Sequence, residues 1–249
     1  GLGGMGSWFI KELSTDHTTV GYDADKKKME TAGTACLENP SELSSFSPDL
    51  LINAVTLQNT VQAFETSIPY LPPDCSIADI ATIKRPLLAY YKNCGRRFIS
   101  VHPMFGPRFS DLEHLQKETV IIIRESDGRL KDFFGRFFRK HGLTLVELSF
   151  EEHDRVMATA LTVPFVCSMI FAAVLQGDTV PGTTFARHRV VAEKLLKEEN
   201  SLLAEVLFNS HSLTQIKKLN DQLALLESLA KRKNRKEVRA FFDDLRKKF

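Results

Sequence analysis

The chain has 249 residues, 43% of them hydrophobic and 26% charged, ordinary globular values that exclude wholesale disorder and leave room for one or two domains. Lys and Arg number 33 against 31 Asp and Glu, a formal net charge of +2, too balanced to indicate a nucleic-acid or membrane-surface partner. No apolar run is read as approaching the roughly 20 residues of a bilayer-spanning helix, and Cys36, Cys75, Cys94 and Cys167 form no CxxC pair. Reduced thiols, no metal site, no membrane and a cytoplasmic location are therefore expected.

The chain opens on Gly1-Leu2-Gly3-Gly4-Met5-Gly6, whose Gly1, Gly3 and Gly6 match G-x-G-x-x-G. A helix-type stretch, Ser7–Leu13, follows at once, then a β-type run, Thr18–Tyr22, that ends at Asp23. This is the dinucleotide-binding pattern. Gly1 permits the tight turn, Gly3 lets the backbone approach a pyrophosphate, and Gly6 allows close helix–strand contact. The helix N-terminus supplies free N–H groups to the phosphates. Asp23 would accept from the adenosine ribose hydroxyls and favours NAD, while Lys26 and Lys27 leave NADP open. Gly1, Gly3, Met5, Gly6 and Asp23 are the expected cofactor contacts. No strand precedes the turn in this chain, so the first strand of the sheet is expected in about 5–10 residues upstream.

Further β-type runs follow at Leu50–Val55, Ser76–Ile80, Arg97–Val101, Thr119–Ile123 and Leu143–Leu148. Helix-type stretches alternate with them at Asp25–Thr31, Asn59–Tyr70, Arg85–Tyr91 and Arg129–Lys140. The alternation predicts a doubly wound, parallel α/β sheet over residues 1–149. From Phe150 onward no strand is read. A long helix kinked at Pro164, a break at Gln176–Thr184 and helices over Arg187–Phe208 and Ser212–Arg232 predict an all-helical second domain over 150–249. Its apolar faces are wider than one helix layer buries, so a homodimer through this domain is expected. The basic tail, residues 231–249, reads as a helix with a solvated face.

His102 is delivered to a strand's C-terminal end within Ser100-Val101-His102-Pro103-Met104-Phe105-Gly106-Pro107, the edge where open α/β sheets hold ligands. A histidine there can take a proton from a substrate hydroxyl near neutral pH.

Four pieces in this order resemble the prephenate and arogenate dehydrogenases of tyrosine biosynthesis. They are GLGGMGSWF at the start, Asp79-Ile80-Ala81-Thr82-Ile83-Lys84, SVHPMFGP at 100–107, and Glu152-His153-Asp154. The resemblance implies a Rossmann domain followed by a helical dimerisation domain, and NAD(P)-dependent oxidative decarboxylation of prephenate to 4-hydroxyphenylpyruvate, or of arogenate to tyrosine. It implies His102 as the catalytic base and Thr82 as a hydroxyl near the reacting centre. Arg187, or Arg189 two residues on, would bind a substrate carboxylate, and Lys84 is assigned to the substrate side as electrostatic support for its loop. His153-Asp154 reads as a junction pair ordering a helix start. Some relatives carry a histidine where this chain has Phe165, which cannot hydrogen-bond a pyruvyl group, so prephenate and arogenate both stay open. The competing readings are another two-domain Rossmann oxidoreductase, whose acid/base group usually sits in the helical domain, and a non-catalytic NAD-binding regulatory module.

Overall fold

The computed structural model describes residues 1–106, 115–175, 177 and 180–248. In chain order it runs α1 (Gly4–Leu13), α2 (Lys26–Thr31), α3 (Leu43–Phe46), β1 (Leu50–Asn53), α4 (Leu57–Ser67), β2 (Ser76–Asp79), α5 (Arg85–Asn93), β3 (Phe98–Pro103), β4 (Thr119–Ile123), α6 (Gly128–Lys140) and β5 (Thr144–Leu148). Helices alone follow: α7 (Phe150–Met157), α8 (Val163–Ala173), α9 (Thr183–Leu195), α10 (Asn200–Phe208), α11 (Ser212–Arg232) and α12 (Arg235–Arg246). Of the sequence features above, Pro107, Gln176, Asp178, Thr179 and Phe249 lie outside the described residues.

The five strands form one sheet in the order β1-β2-β3-β4-β5. Alternate side chains of each strand enter opposite layers. Ala78, Ile99, Val101, Val120 and Ile122 pack with Trp8, Phe9 and Leu13 of α1 and Phe134 and Phe138 of α6. Ile77 and Ile123 pack instead with Phe64 of α4, Leu87 and Tyr91 of α5 and Phe150 of α7. Helices thus cover both faces, which accounts for the nearly continuous apolar run Thr119–Ile123. The chain has a Rossmann-like α/β unit with a helical C-terminal portion.

Four expectations give way. First, the sheet is mixed: β1, β2 and β3 are mutually parallel, but β4 pairs antiparallel with β3, and β5 runs parallel to β4. The link from Pro103 to Thr119 carries no crossover helix among its described residues, and antiparallel neighbours need none. Second, Thr18–Tyr22 forms no strand. It contributes only the bridge between Gly21 and Cys36, because its other side turns toward the glycine turn, where Gly1 donates to the Tyr22 carbonyl at 2.9 Å. Third, the run Val156–Leu175 carries no charged residue, and the helical stretch Phe150–Ala173 is long and apolar enough by composition to cross a membrane. Its length is hard to see in the sequence because Pro164 divides the run. In the structure a π-turn, Ala158–Thr162, precedes Pro164, and this extra residue per turn absorbs the amide that proline lacks. The expected helix Arg187–Phe208 also divides, into α9 and α10.

Candidate active site

The glycine turn is explained position by position. A Cβ on Gly1 would lie 2.5 Å from the Ala54 carbonyl oxygen, and one on Gly6 would lie 1.9 Å from the Gly1 oxygen. Both glycines are therefore demanded by close packing against the residue that follows β1. Gly3 is different. A Cβ there would meet nothing within 4 Å, and its backbone (φ −69°, ψ −176°) is open to any residue. Neither sterics nor strain inside the protein explains this glycine. Gly3 caps α1 without a side-chain hydrogen bond, and the first turn of α1 holds no acidic residue, so its amides and dipole are left for an anion. Met5 lies in that turn, its side chain packed against the core.

Asp23 sits beside the turn. Its carboxylate accepts the Leu2 N–H at 2.7 Å and the Asp25 N–H at 2.9 Å. Burial works to raise its pKa, but these two amides hold it below the usual carboxylate range. The charge is thus fixed next to the turn, with lone pairs left for a ribose. The residues present fit a dinucleotide.

Because β1, β2 and β3 are parallel, their C-terminal ends share one edge. Ala54 lies there beneath the glycine turn, Thr82 follows β2, and His102 lies near the end of β3. Thr82 is half-buried. His102 is only 5% exposed, and its Nδ1 stands 3.0 Å from Nε2 of His153 in α7. Nδ1 of His153 is in turn 2.8 Å from Oδ1 of Asp154. Asp154 accepts two more bonds, from the Lys84 N–H to Oδ1 and the Arg85 N–H to Oδ2, both at 2.9 Å, at the N-terminus of α5. Burial again works to raise the Asp154 pKa, but the bonds from His153 and the two amides hold it below the usual range. Burial, followed by the facing His153 and Lys84, keeps His102 well below the ordinary imidazole pKa. His153 is also lowered by burial, against the opposing pull of Asp154.

Lys84 requires a correction. Its side chain has no exposure; the ammonium donates to Asp79 Oδ1 at 2.5 Å and to the Val101 carbonyl at 2.7 Å. Asp79 also accepts from the Tyr91 hydroxyl at 2.7 Å and the Ala81 N–H at 3.0 Å. Two of the three ammonium N–H donors of Lys84 are thus spent inside the protein and the side chain has no exposed surface, so Lys84 is placed to support the loop that carries Thr82 rather than to bind substrate. Burial pulls the Lys84 pKa down while Asp79 pulls it up.

Arg187 and Arg189 are both exposed on α9, which packs against α8. Arg189 pairs with Glu193 at 2.7 Å, leaving Arg187 the less committed cation. Neither bonds to the histidine pair. His153 is the residue whose place differs from its sequence reading: it faces His102 rather than only ordering a junction. A signal for it exists in the sequence. Phe150, His153, Asp154 and Met157 share helical spacing, so the pair has to be buried with its apolar neighbours and needs partners.

Three comparisons bear on this arrangement. Residues 7–123 match the family described as prephenate dehydrogenase, nucleotide-binding domain. A probable arogenate/prephenate dehydrogenase of Methanocaldococcus jannaschii is 28% identical over 168 residues, covering 63% of this chain and 37% of that protein. The T-protein of Enterobacter agglomerans is 27% identical over 244 residues, covering 91% of this chain and 61% of the relative. This chain therefore spans less than two thirds of the length of either curated relative. Among solved structures, Aquifex aeolicus prephenate dehydrogenase in complex with hydroxyphenyl propionate and NAD+ superposes with a TM-score of 0.83 at 18% identity, covering 100% of this chain and 94% of that one. Synechocystis arogenate dehydrogenase gives 0.74 at 16% identity, covering 100% and 96%. At these identities the structural likeness shows the fold.

Proposed function

We propose that this chain, which belongs to the prephenate dehydrogenase family, catalyses the NAD-dependent oxidative decarboxylation of prephenate to 4-hydroxyphenylpyruvate. The observation that carries the reading is the shared sheet edge: an unfilled glycine position on a helix N-terminus stands beside the end of β1, and a buried histidine paired with His153 stands near the end of β3, in the same parallel half of the sheet. Residues 1–149 are read as the dinucleotide-binding unit and 150–249 as the helical substrate and dimerisation unit.

NAD, when bound, would supply the acceptor for the hydride leaving ring C4 of the substrate. Gly3, Met5 and Gly6 would offer backbone amides to its pyrophosphate, Gly1 would shape the turn that receives it, and Asp23 would hold its adenosine ribose. The fixed carboxylate repels a 2′-phosphate, which favours NAD over NADP. His102 would accept the proton of the substrate's 4-hydroxyl as C4 becomes a carbonyl carbon. Loss of the ring carboxylate as CO2 then aromatises the ring, and the oxygen ends as the phenol. Thr82 offers a hydroxyl beside the same loop. Arg187 would bind a substrate carboxylate through its planar guanidinium.

The helical unit is read as pairing with a second copy. Only 22% of the most apolar window of Phe150–Ala173 is buried within one chain, and Phe208, Leu213 and Val174 are 82%, 77% and 67% exposed, a surface that an isolated soluble chain rarely leaves uncovered. A second copy would cover it. The free thiols among the described residues accord with a reducing, cytoplasmic setting.

Calorimetric titration tests the reading. The account expects NAD to bind and prephenate to bind the NAD complex. Binding of NAD with no binding of prephenate or arogenate would leave a nucleotide-sensing module and overturn the enzyme reading.

A further inference from the structure

We propose that His153 is a positioning residue that sets the tautomer of His102 and receives the proton His102 takes up, so that Asp154, His153 and His102 act as one relay. The proposal rests on the functional reading above for its substrate, but its geometry stands independently. Asp154 accepts two backbone amides and lies 2.8 Å from Nδ1 of His153. An ionised carboxylate can only accept, so Nδ1 of His153 carries the hydrogen. The Nε2 of neutral His153 is then a lone pair. Across 3.0 Å it faces Nδ1 of His102, which must therefore be the protonated nitrogen. The lone pair of His102 is left on Nε2, on the opposite side of its ring.

The groups facing this pair are few. Lys84 and Asp79 approach from the loop after β2 and from β2 itself, with Tyr91 of α5 bonded to Asp79; Asp154 belongs to α7. Asp79 and Lys84 neutralise each other, so Asp154 is the carboxylate that decides where a proton rests. His102, buried and beside a lysine, is a poor place to keep a positive charge. His153 touches the carboxylate directly. When a substrate hydroxyl gives its proton to Nε2 of His102, the Nδ1 proton of His102 passes to Nε2 of His153. The result is neutral His102 and an imidazolium ion-paired with Asp154. One proton enters, one is handed on, and no electrons move in the relay. This resembles the role of the aspartate in serine-protease triads, with a second imidazole inserted.

The test combines two measurements. In the intact protein labelled with 15N-histidine, NMR above pH 8 is expected to show both rings as the Nδ1–H tautomer, and on acidification the His153 ring to take up the first proton. An Nε2–H tautomer for His102, or first protonation on His102, would overturn the proposal whatever the substrate is. Separately, His153→Gln keeps an acceptor for the His102 Nδ1–H but cannot take a proton. Its kcat is expected to fall about 10- to 100-fold, with KM within about threefold and the acid limb of the pH profile moved to lower pH. An unchanged kcat and profile in folded His153→Gln would equally overturn it. If neither prephenate nor arogenate is turned over by wild type, the functional reading fails while the NMR result still judges the relay.

Discussion

His102 and His153 are 51 residues apart in the chain and 3.0 Å apart in space, joined across the boundary between the sheet and the helices. That contact ties the histidine at the sheet edge to the first helix of the C-terminal portion. Replacing His102 tests the acceptor itself. His102→Asn is expected to retain NAD affinity while turnover falls by roughly 10²–10⁴, the usual contribution of a general base. Paired calorimetry and steady-state kinetics check this, and unchanged turnover would remove His102 from the role.

The two kinds of glycine in the turn separate cofactor binding from folding. Gly3→Ala adds a methyl to open space, so thermal stability should stay within about 1 kcal/mol of wild type while NAD affinity drops at least about tenfold, by the measure that about 1.4 kcal/mol is tenfold. Gly6→Ala drives a methyl onto the Gly1 carbonyl and should lower both stability and affinity. Melting curves with and without NAD distinguish the two; loss of stability in Gly3→Ala would mean that the position is structural after all.

The two arginines of α9 should differ. Arg187→Ala is expected to raise KM for the substrate by an amount equivalent to about 2–5 kcal/mol if the guanidinium meets a carboxylate. Arg189→Ala, which loses an exposed pair with Glu193, should change KM little. The reverse order in kinetics would move the carboxylate site to Arg189.

Removing one partner of the buried Lys84–Asp79 pair leaves an uncompensated charge where no water reaches. Lys84→Met should cost on the order of 3–5 kcal/mol in urea unfolding. Asp79→Asn should cost a comparable amount, since it leaves the buried Lys84 ammonium without its counter-charge and its single amide oxygen cannot replace both carboxylate oxygens that accept from the Ala81 N–H and the Tyr91 hydroxyl. A cost under about 1 kcal/mol for Lys84→Met would show the pair to be dispensable.

Stability should also depend on pH in a set direction. His102 and His153 have lowered pKa values in the folded chain against about 6.5 unfolded. Below that value the unfolded state binds protons that the native state refuses, so stability is full above about pH 6.5 and is lost as pH falls toward the native pKa values. Unfolding free energies at about pH 8 and pH 5 should differ more in wild type than in His102→Asn; an equal pH dependence would contradict the assignment.

Much of the fold is legible in the sequence because it rests on local pattern. Thr119–Ile123 and Ser212–Arg232 have the same boundaries in the sequence reading and in the structure, one as an apolar run buried on both faces, the other as an uninterrupted helical period. What escapes depends on non-local pairing. The reversal of β4 is a matter of how it pairs with β3, and nothing in the run Thr119–Ile123 itself records strand direction. Thr18–Tyr22 has strand composition but only Cys36 to bridge. At the site, His102 is visible from its place after a strand. Loop support by Lys84 is part of the sequence reading, but its complete burial is not, because a lysine's burial is decided by partners such as Asp79 and the Val101 carbonyl that the fold brings to it.

The central claim is tested most directly by following reduced-cofactor absorbance when the chain is given NAD with prephenate, and separately with arogenate. The account predicts reduced cofactor formed in step with CO2 on prephenate, and its loss in His102→Asn. Binding of NAD without reduction on either compound would contradict it.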